Sequence, residues 1–393
     1  MVIRFASVTL AHTVSTEGCF STSNPKTLQD YSRLERTIFN RENVSHLEVV
    51  VVGAGALGNE VVKALGLLGV ARVLVIDPDC VRPSDLTRSL LFRKEDYAGR
   101  NKAVAMVEAA GPLFPGTEFV AIPAEIADVG FGRFAQASLL FSCVDNDLAR
   151  LEMSYLGTKL GLPVADAGLG APNYAHGRVS WYPGQGGACF GCKLTPGRRR
   201  ELLNYWDAEV RSCSDALPDG QRPSTPTMAA IVGSLEVELG LRWRMENCRE
   251  SVTFEVTLEG TPRSQFFRTP VSAECPFHES RDEVMVDAVG QATVAEILES
   301  VKAPADGAPY LILDWPICCR ARCSACCHEW APMQRAAVIR RRAVCPACGS
   351  RSILEQESIR VIGHNSPWAR KAPSALGLPE QHRFTIRFHR GHE

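Results

Sequence analysis

The stretch His46–Gly58, HLEVVVVGAGALG, followed by Val70–Asp79, VARVLVIDPD, decides the fold. An apolar run ends on Gly53-x-Gly55-x-x-Gly58, a helix-forming segment follows, and a second apolar run ends on the acids Asp77 and Asp79. This is the start of a Rossmann-type βαβ unit. Glycines permit a tight turn and close backbone approach, the helix N-terminus faces a phosphate, and an acid takes ribose hydroxyls. Gly53, Gly55 and Gly58 are the candidate phosphate contacts, and Asp77, with Asp79 beside it, the candidate ribose contact. On this stretch alone NAD or FAD suits as well as ATP. Further on come Arg88 in PSDLTRSLLF, Lys102 in AGRNKA and Asp145 in FSCVDN. Hydride transfer has no use for such groups. Displacing pyrophosphate from ATP needs cations on the departing charge and a carboxylate to hold magnesium.

From Leu47 to about Ala165, apolar strands alternate with amphipathic helices. That alternation predicts an α/β fold: a Rossmann-like, mostly parallel sheet with helices on both faces. Asp30–Asn43 has helix-like spacing at Leu34, Ile38 and Phe39. Residues 184–225 are rich in Gly, Pro and Arg and read as a crossover loop. Thr227–Arg244 reads as a helix, and SVTFEVTLEG with SQFFRTPV as a short antiparallel β region. Past residue 279 come a short helix (ATVAEILESV), a strand (APYLILDW) and a cysteine-dense stretch, Cys318–Cys348, ending in a zinc ribbon. The resulting division is an N-terminal extension (1–30), a nucleotide-binding domain with crossover loop (31–280), which a family resemblance makes the ATP-dependent adenylation domain with structural zinc, a C-terminal domain with the ribbon (281–360) and a tail (361–393).

With 393 residues and 45% hydrophobic content, the chain can bury a sizeable core and form two or three domains. A net charge of −1 gives no global field drawing it to nucleic acid or membrane. No apolar stretch approaches bilayer length, and the N-terminus makes a poor signal peptide, so the cytoplasm is the expected compartment. Fifteen cysteines in an intracellular chain point to metal and catalysis rather than disulfides.

VVVGAGALG, VLVIDPD, DLTRSLLF, GRNKA and CVDN, in that order, resemble the adenylation core of the ubiquitin-activating enzyme superfamily. That superfamily includes the molybdopterin- and thiamine-pathway enzymes that activate sulfur-carrier proteins. The resemblance runs from about Tyr31 to His278 and is highly specific as a set. It implies that Arg88 and Lys102 grip the triphosphate of ATP and that Asp145 holds Mg2+. The C-terminal glycine of a ubiquitin-like or sulfur-carrier protein would then become an acyl-AMP. It also matches Arg33, in DYSRLERTIF, to an arginine sent across a homodimer interface to the partner's ATP. Two positions depart from the family: Asp85 stands where Asn is common, and Ser89 where Gln is. Asp85 places negative charge beside the phosphates, to be offset by magnesium or Arg88.

The resemblance further implies that Cys213, in RSCSDALPDGQRPSTPT, takes the carrier as a thioester or joins a persulfide-linked intermediate. Arg211, Arg222 and the following helix N-terminus would lower its pKa. An inert loop thiol remains the alternative. Cys189-x-x-Cys192 and Cys275-Pro-Phe-His278 offer thiolates and an imidazole suited to tetrahedral zinc, in the places where resembling enzymes carry two CxxC pairs. A redox pair at Cys189 and Cys192 lacks the helix-start context that would lower a thiol pKa. Cys323-x-x-Cys326 and Cys345-x-x-Cys348, eighteen residues apart, have the spacing of a tetrathiolate zinc ribbon. Two Zn2+ ions are therefore expected. Arg335 and Arg340–Arg342 make the ribbon basic, but without interleaved aromatics a protein-docking role is favoured over nucleic acid.

Three functional classes follow. The leading one is an ATP-dependent activating enzyme that passes its carrier to a conjugating enzyme, with sulfur-carrier adenylation as its variant. The bacterial members it most resembles, with the CPFH knuckle and the ribbon, belong to systems tied to antiviral defence. A Rossmann oxidoreductase lacks the His and Asp pair that hydride transfer would use. A catalytically inactive carrier-binding adaptor would explain Asp85 and Ser89.

Overall fold

A computed structural model describes residues 29–93, 97–170, 174–207, 224–278, 283–287, 292–301, 307–379 and 382–388. In chain order the first body comprises α1 (Arg41–Val44), β1 (Glu48–Val52), α2 (Ala56–Leu68), β2 (Arg72–Ile76), α3 (Lys102–Leu113) and β3 (Glu118–Ile122). It continues with β4 (Leu139–Ser142), α4 (Asp147–Leu160), β5 (Val164–Leu169), β6 (His176–Tyr182), α5 (Phe190–Lys193), α6 (Pro196–Asp207), α7 (Pro226–Met245), β7 (Val252–Thr257) and β8 (Arg263–Arg268). Its eight strands form one sheet in the order β3-β2-β1-β4-β5-β6-β7-β8. The first five are parallel and the rest antiparallel. Strand runs such as VVVV and RVLVI are apolar because both faces are covered: Val49 and Val51 enter one core, Val50 and Val52 the other.

Register places the functional cleft. Val52 pairs with Ile76 and with Ser142, and Ile76 with Ile122, so four strands end level with one another. The chain runs outward from β1 to β3, then returns to start β4 on the other side of β1. This is a topological switch point, where open α/β sheets hold ligands beyond their carboxyl ends.

The second body holds β9 (Glu283–Asp287), α8 (Val294–Ser300), β10 (Pro309–Cys323), β11 (Glu329–Trp330), β12 (Gln334–Arg335), α9 (Ala336–Arg342), β13 (Ile353–Gly363) and β14 (Arg383–Phe388). The antiparallel arms β10 and β13 carry both cysteine pairs of the ribbon at their tip.

Three expectations from the sequence are corrected. Asp30–Asn43 is not one helix; a 3₁₀ turn at Leu34–Arg36 precedes a single helical turn, which the Asn40 side chain caps at Asn43 N, 2.9 Å away. The stretch 184–225 contains α5 and α6, and residues 208–223, with Arg211, Cys213 and Arg222, lie outside the described residues. The segment 361–393 is not merely a tail: β14 lies between β9 and β10, burying Phe384 and Ile386.

Candidate functional site

The glycine turn is shaped by two contacts. Gly53 has φ +96°, and a Cβ there would meet the Cys143 carbonyl oxygen at 2.5 Å. A Cβ on Gly58 would meet the Gly53 carbonyl oxygen at 2.0 Å, so α2 can begin this close to the turn only without one. Gly55 is different: among the described residues nothing lies within 4 Å of a Cβ built there, which leaves open space over the start of α2. Among the described residues no side chain caps α2, and no acid stands in its first turn. Its unpaired N–H groups therefore face the cleft as an anion site.

The cleft has a volume of about 590 Å³ and is lined by Gly53, Gly55, Asp77, Asp79, Asp85, Arg88, Lys102 and Asp145. Every nucleotide-site residue singled out in the sequence except Gly58, Ser89 and Arg33 thus borders one space, and Ser89 is buried. Gly58 packs behind the turn. Arg33 is exposed at the opposite end of α2, where Tyr31 and Arg41 pack around Gly69. At 1.5 Å per residue this is about 20 Å from the turn. Arg33 does not line its own chain's cleft.

The two acids after β2 divide their tasks. Asp77 Oδ2 accepts from Ala54 N at 2.7 Å and Oδ1 from Asp79 N at 2.8 Å, so Asp77 braces the glycine turn. Burial pushes its carboxyl above the usual range, while these amides and Lys102 pull it down. The Asp79 side chain, 53% exposed, faces outward 3.5 Å from Lys102 Nζ. Lys102 also lies 3.7 Å from Asp85, and Arg88 Nη2 lies 3.5 Å from the same carboxylate. Arg88 Nη1 donates to Ser224 Oγ at 2.8 Å. Asp145 is exposed at the start of α4, next to the helix cap Asn146.

Beneath the cleft lies a buried polar cluster that sequence reading did not single out. Asp166 on β5 accepts from Ser142 Oγ at 2.7 Å and pairs with Arg150, whose other nitrogen donates to Val144 O at 2.6 Å. Glu236 on α7 is fully buried, and Cys143 Sγ donates to it at 3.5 Å. Burial raises both their pKa values well above the ordinary ones. A charged residue inside an apolar strand, Asp166 in PVADAG, is the signal that could have found part of this cluster.

Both cysteine quartets are assembled. The ligand atoms of Cys189, Cys192, Cys275 and His278 lie within 4.8 Å of one another, as do those of Cys323, Cys326, Cys345 and Cys348. Sulfur separations of 3.5, 3.6, 3.7 and 3.9 Å exclude disulfides. They match the edge of about 3.8 Å that a tetrahedron with 2.3 Å zinc–sulfur bonds requires. Among the described residues the buried Nε2 of His278 has no hydrogen-bond partner, which also fits a zinc ligand.

Comparison with known proteins bears on the reading. A family model described as the ThiF family matches residues 32–302. Ubiquitin-like modifier-activating enzyme 5 of Dictyostelium discoideum is 27% identical over 189 residues, 43% of this chain and 47% of the relative. The NEDD8-activating enzyme E1 catalytic subunit of Caenorhabditis elegans is 32% identical over 127 residues, 32% of this chain and 29% of the relative. The chain thus spans less than half the length of these curated relatives. Among solved structures, E. coli MccB with ATP has TM-score 0.48 at 15% identity, covering 61% of this chain and 68% of that one. PaaA has TM-score 0.45 at 16% identity, covering 59% and 75%. Among the described residues no helix is long and apolar enough to cross a membrane.

Proposed function

This chain belongs to the ThiF family, and we propose that it uses MgATP to adenylate the C-terminal glycine of a ubiquitin-like protein. The observation that carries this reading is the placement of Arg88 and Lys102 in one cleft with the glycine turn and Asp145. The open space at Gly55 and the uncapped α2 take phosphate oxygens. Arg88 and Lys102 neutralise the charge that builds on the leaving group. Asp79 takes the ribose hydroxyls while Asp77 holds the turn, a revision of the assignment of ribose to Asp77. Asp145 would hold magnesium, which when bound supplies further charge neutralisation on the phosphates.

In the proposed step, a carboxylate oxygen of the carrier attacks the α-phosphorus of ATP. A carbon–oxygen–phosphorus anhydride forms, the bond from the α-phosphorus to the bridging oxygen breaks, and pyrophosphate departs with the electron pair. The Cys213 thiolate then attacks the acyl carbon, forming the thioester and releasing AMP. Delivery to a conjugating enzyme completes the sequence, in a bacterial conjugation system of the antiviral kind. Arg33 reaches the cleft of a second copy in a homodimer. Relatives named for ubiquitin-like modifiers support conjugation over sulfur transfer. The two zinc quartets are structural: the first ties α5 to the Pro276–His278 turn, and the second stabilises the tip of the C-terminal body.

The test is ATP–pyrophosphate exchange with candidate carriers ending in glycine. Carrier-dependent exchange, abolished in Asp145→Ala, is expected. Absence of MgATP binding, with retention of a nicotinamide, would end the reading. Binding of the carrier without exchange would make the chain an adaptor. Exchange followed by undiminished carrier transfer in Cys213→Ala would remove the thioester step, and transfer of sulfur to the carrier would replace conjugation.

A further inference from the structure

The C-terminal body reaches the wall of the cleft. Arg335, whose side chain is only 8% exposed, forks onto the turn that follows β3. Its Nε donates to Asp128 Oδ1 at 2.6 Å, and its Nη2 to Asp128 Oδ2 at 2.9 Å and Glu125 Oε2 at 2.7 Å. Between those acids, Ile126 is buried and, with Ala124 and Glu125, lines the cleft. The same loop is held again at Phe131, where Trp315 packs edge-on at 5.7 Å and His382 at 4.7 Å. Tyr155 on α4 donates to Asp314 on β10 beside them.

This bracing has a structural reason. Among the described residues β3 is the edge strand of its sheet, and the segment after it has no neighbouring strand on its outer side. The position of that segment fixes what it meets. Phosphates lie at the glycine turn after β1 and the ribose at Asp79 after β2. The base therefore falls next in line, against Ala124–Ile126 after β3, with Ile76, Pro78 and Ile126 as apolar walls. We infer that Arg335 is a positioning residue for the nucleotide base, through which the C-terminal body completes the ATP site. The inference rests on the reading that this cleft binds ATP.

Three probes of the full chain separate the possibilities: ATP and AMP, which share the base, and inorganic tripolyphosphate, which lacks it. In Arg335→Ala the dissociation constants for ATP and AMP rise together, by about tenfold, the cost of losing a bidentate charge-assisted pair that orders the wall. Tripolyphosphate affinity and kcat in pyrophosphate exchange stay within about twofold, so the change appears in KM for ATP. Asp128→Asn, which leaves the buried arginine its Glu125 partner, gives a smaller shift of the same pattern, and Arg335→Lys recovers part of it. Unchanged ATP and AMP affinity in all three variants overturns the inference and leaves the nucleotide reading intact. Equal weakening of tripolyphosphate also overturns it, because Arg335 would then be a general stabiliser. Wild-type protein that binds none of the three probes removes the reading beneath it.

Discussion

Lys102 Nζ lies 3.7 Å from the carboxylate of Asp85, and that carboxylate is almost wholly buried. Asp85 Oδ2 also accepts from Arg82 N at 3.0 Å, and its Oδ1 faces Arg88. A single acid thus holds both cations assigned to the triphosphate. Without nucleotide it keeps them ordered; on the proposed reading it competes with the phosphates of ATP for them.

Asp85→Asn should therefore tighten nucleotide binding. Asn preserves the acceptor for Arg82 N but removes a negative charge within reach of the phosphates. KM for ATP is expected to fall by about three- to tenfold, worth ~1 kcal/mol in a partly solvated cleft. Steady-state exchange kinetics at fixed magnesium read this directly. A rise in KM would mean that ordering the cations outweighs the competition.

Lys102→Ala removes the cation instead of its partner. If Lys102 meets charge that develops on departing pyrophosphate, kcat falls by about 10²–10³, with a smaller change in KM. Single-turnover formation of the acyl-adenylate is the measurement. A loss confined to KM would assign Lys102 to ground-state binding alone.

How much of this was legible beforehand depended on sequence distance. The glycine turn, the strands around it, the ribbon quartet and each half of the first quartet are local patterns that spacing locates, whereas ligand chemistry and the family resemblance joined Cys189 and Cys192 to Cys275 and His278. Asp77 is a subtler case: its identity was legible, but its orientation depends on the amides of Ala54 and Asp79. Pairs such as Cys143 with Glu236, 93 residues apart, or Glu125 with Arg335, 210 apart, leave no periodic trace. α6 escaped because its Arg-rich sequence, PGRRRELLNYWD, has no strong apolar stripe. β14 escaped because it is short and follows a Pro- and Gly-rich segment, so only pairing with β9 and β10 defines it.

Glu236 gives the fold a pH dependence with a definite sign. Burial raises its pKa in the folded chain, so the native state binds a proton that the unfolded state releases above the ordinary carboxylate range. Its contribution to stability is full at low pH and declines as pH rises through that range toward the folded value, by up to about 1.4 kcal/mol per pH unit. Glu236→Gln keeps a similar shape and an acceptor for Cys143 but cannot ionise. The difference in urea midpoint between variant and wild type should thus move in the variant's favour from pH 5 to pH 8. A difference independent of pH would show that Glu236 is not held neutral.

The two metal quartets should fail in different places. Cys189 and Cys275 are 86 residues apart yet 3.5 Å apart in space, so the first site joins α5 to a segment that follows β8. Cys275→Ser should reduce bound zinc from two ions to one and destabilise the body of the eight-stranded sheet by about 4 kcal/mol or more, as loss of a structural metal does. The second site closes only the tip of the β10–β13 arms, because Cys323 ends β10 and Cys326, Cys345 and Cys348 fall between the two strands. Cys345→Ser should also leave one zinc, but with the main melting transition of the eight-stranded sheet within a few degrees of wild type. Metal content by elemental analysis, paired with calorimetry of each variant, distinguishes these outcomes. Two ions retained in either variant would show that the substituted cysteine is not a ligand, and a common loss of stability would mean that the ribbon is a pillar of the whole molecule.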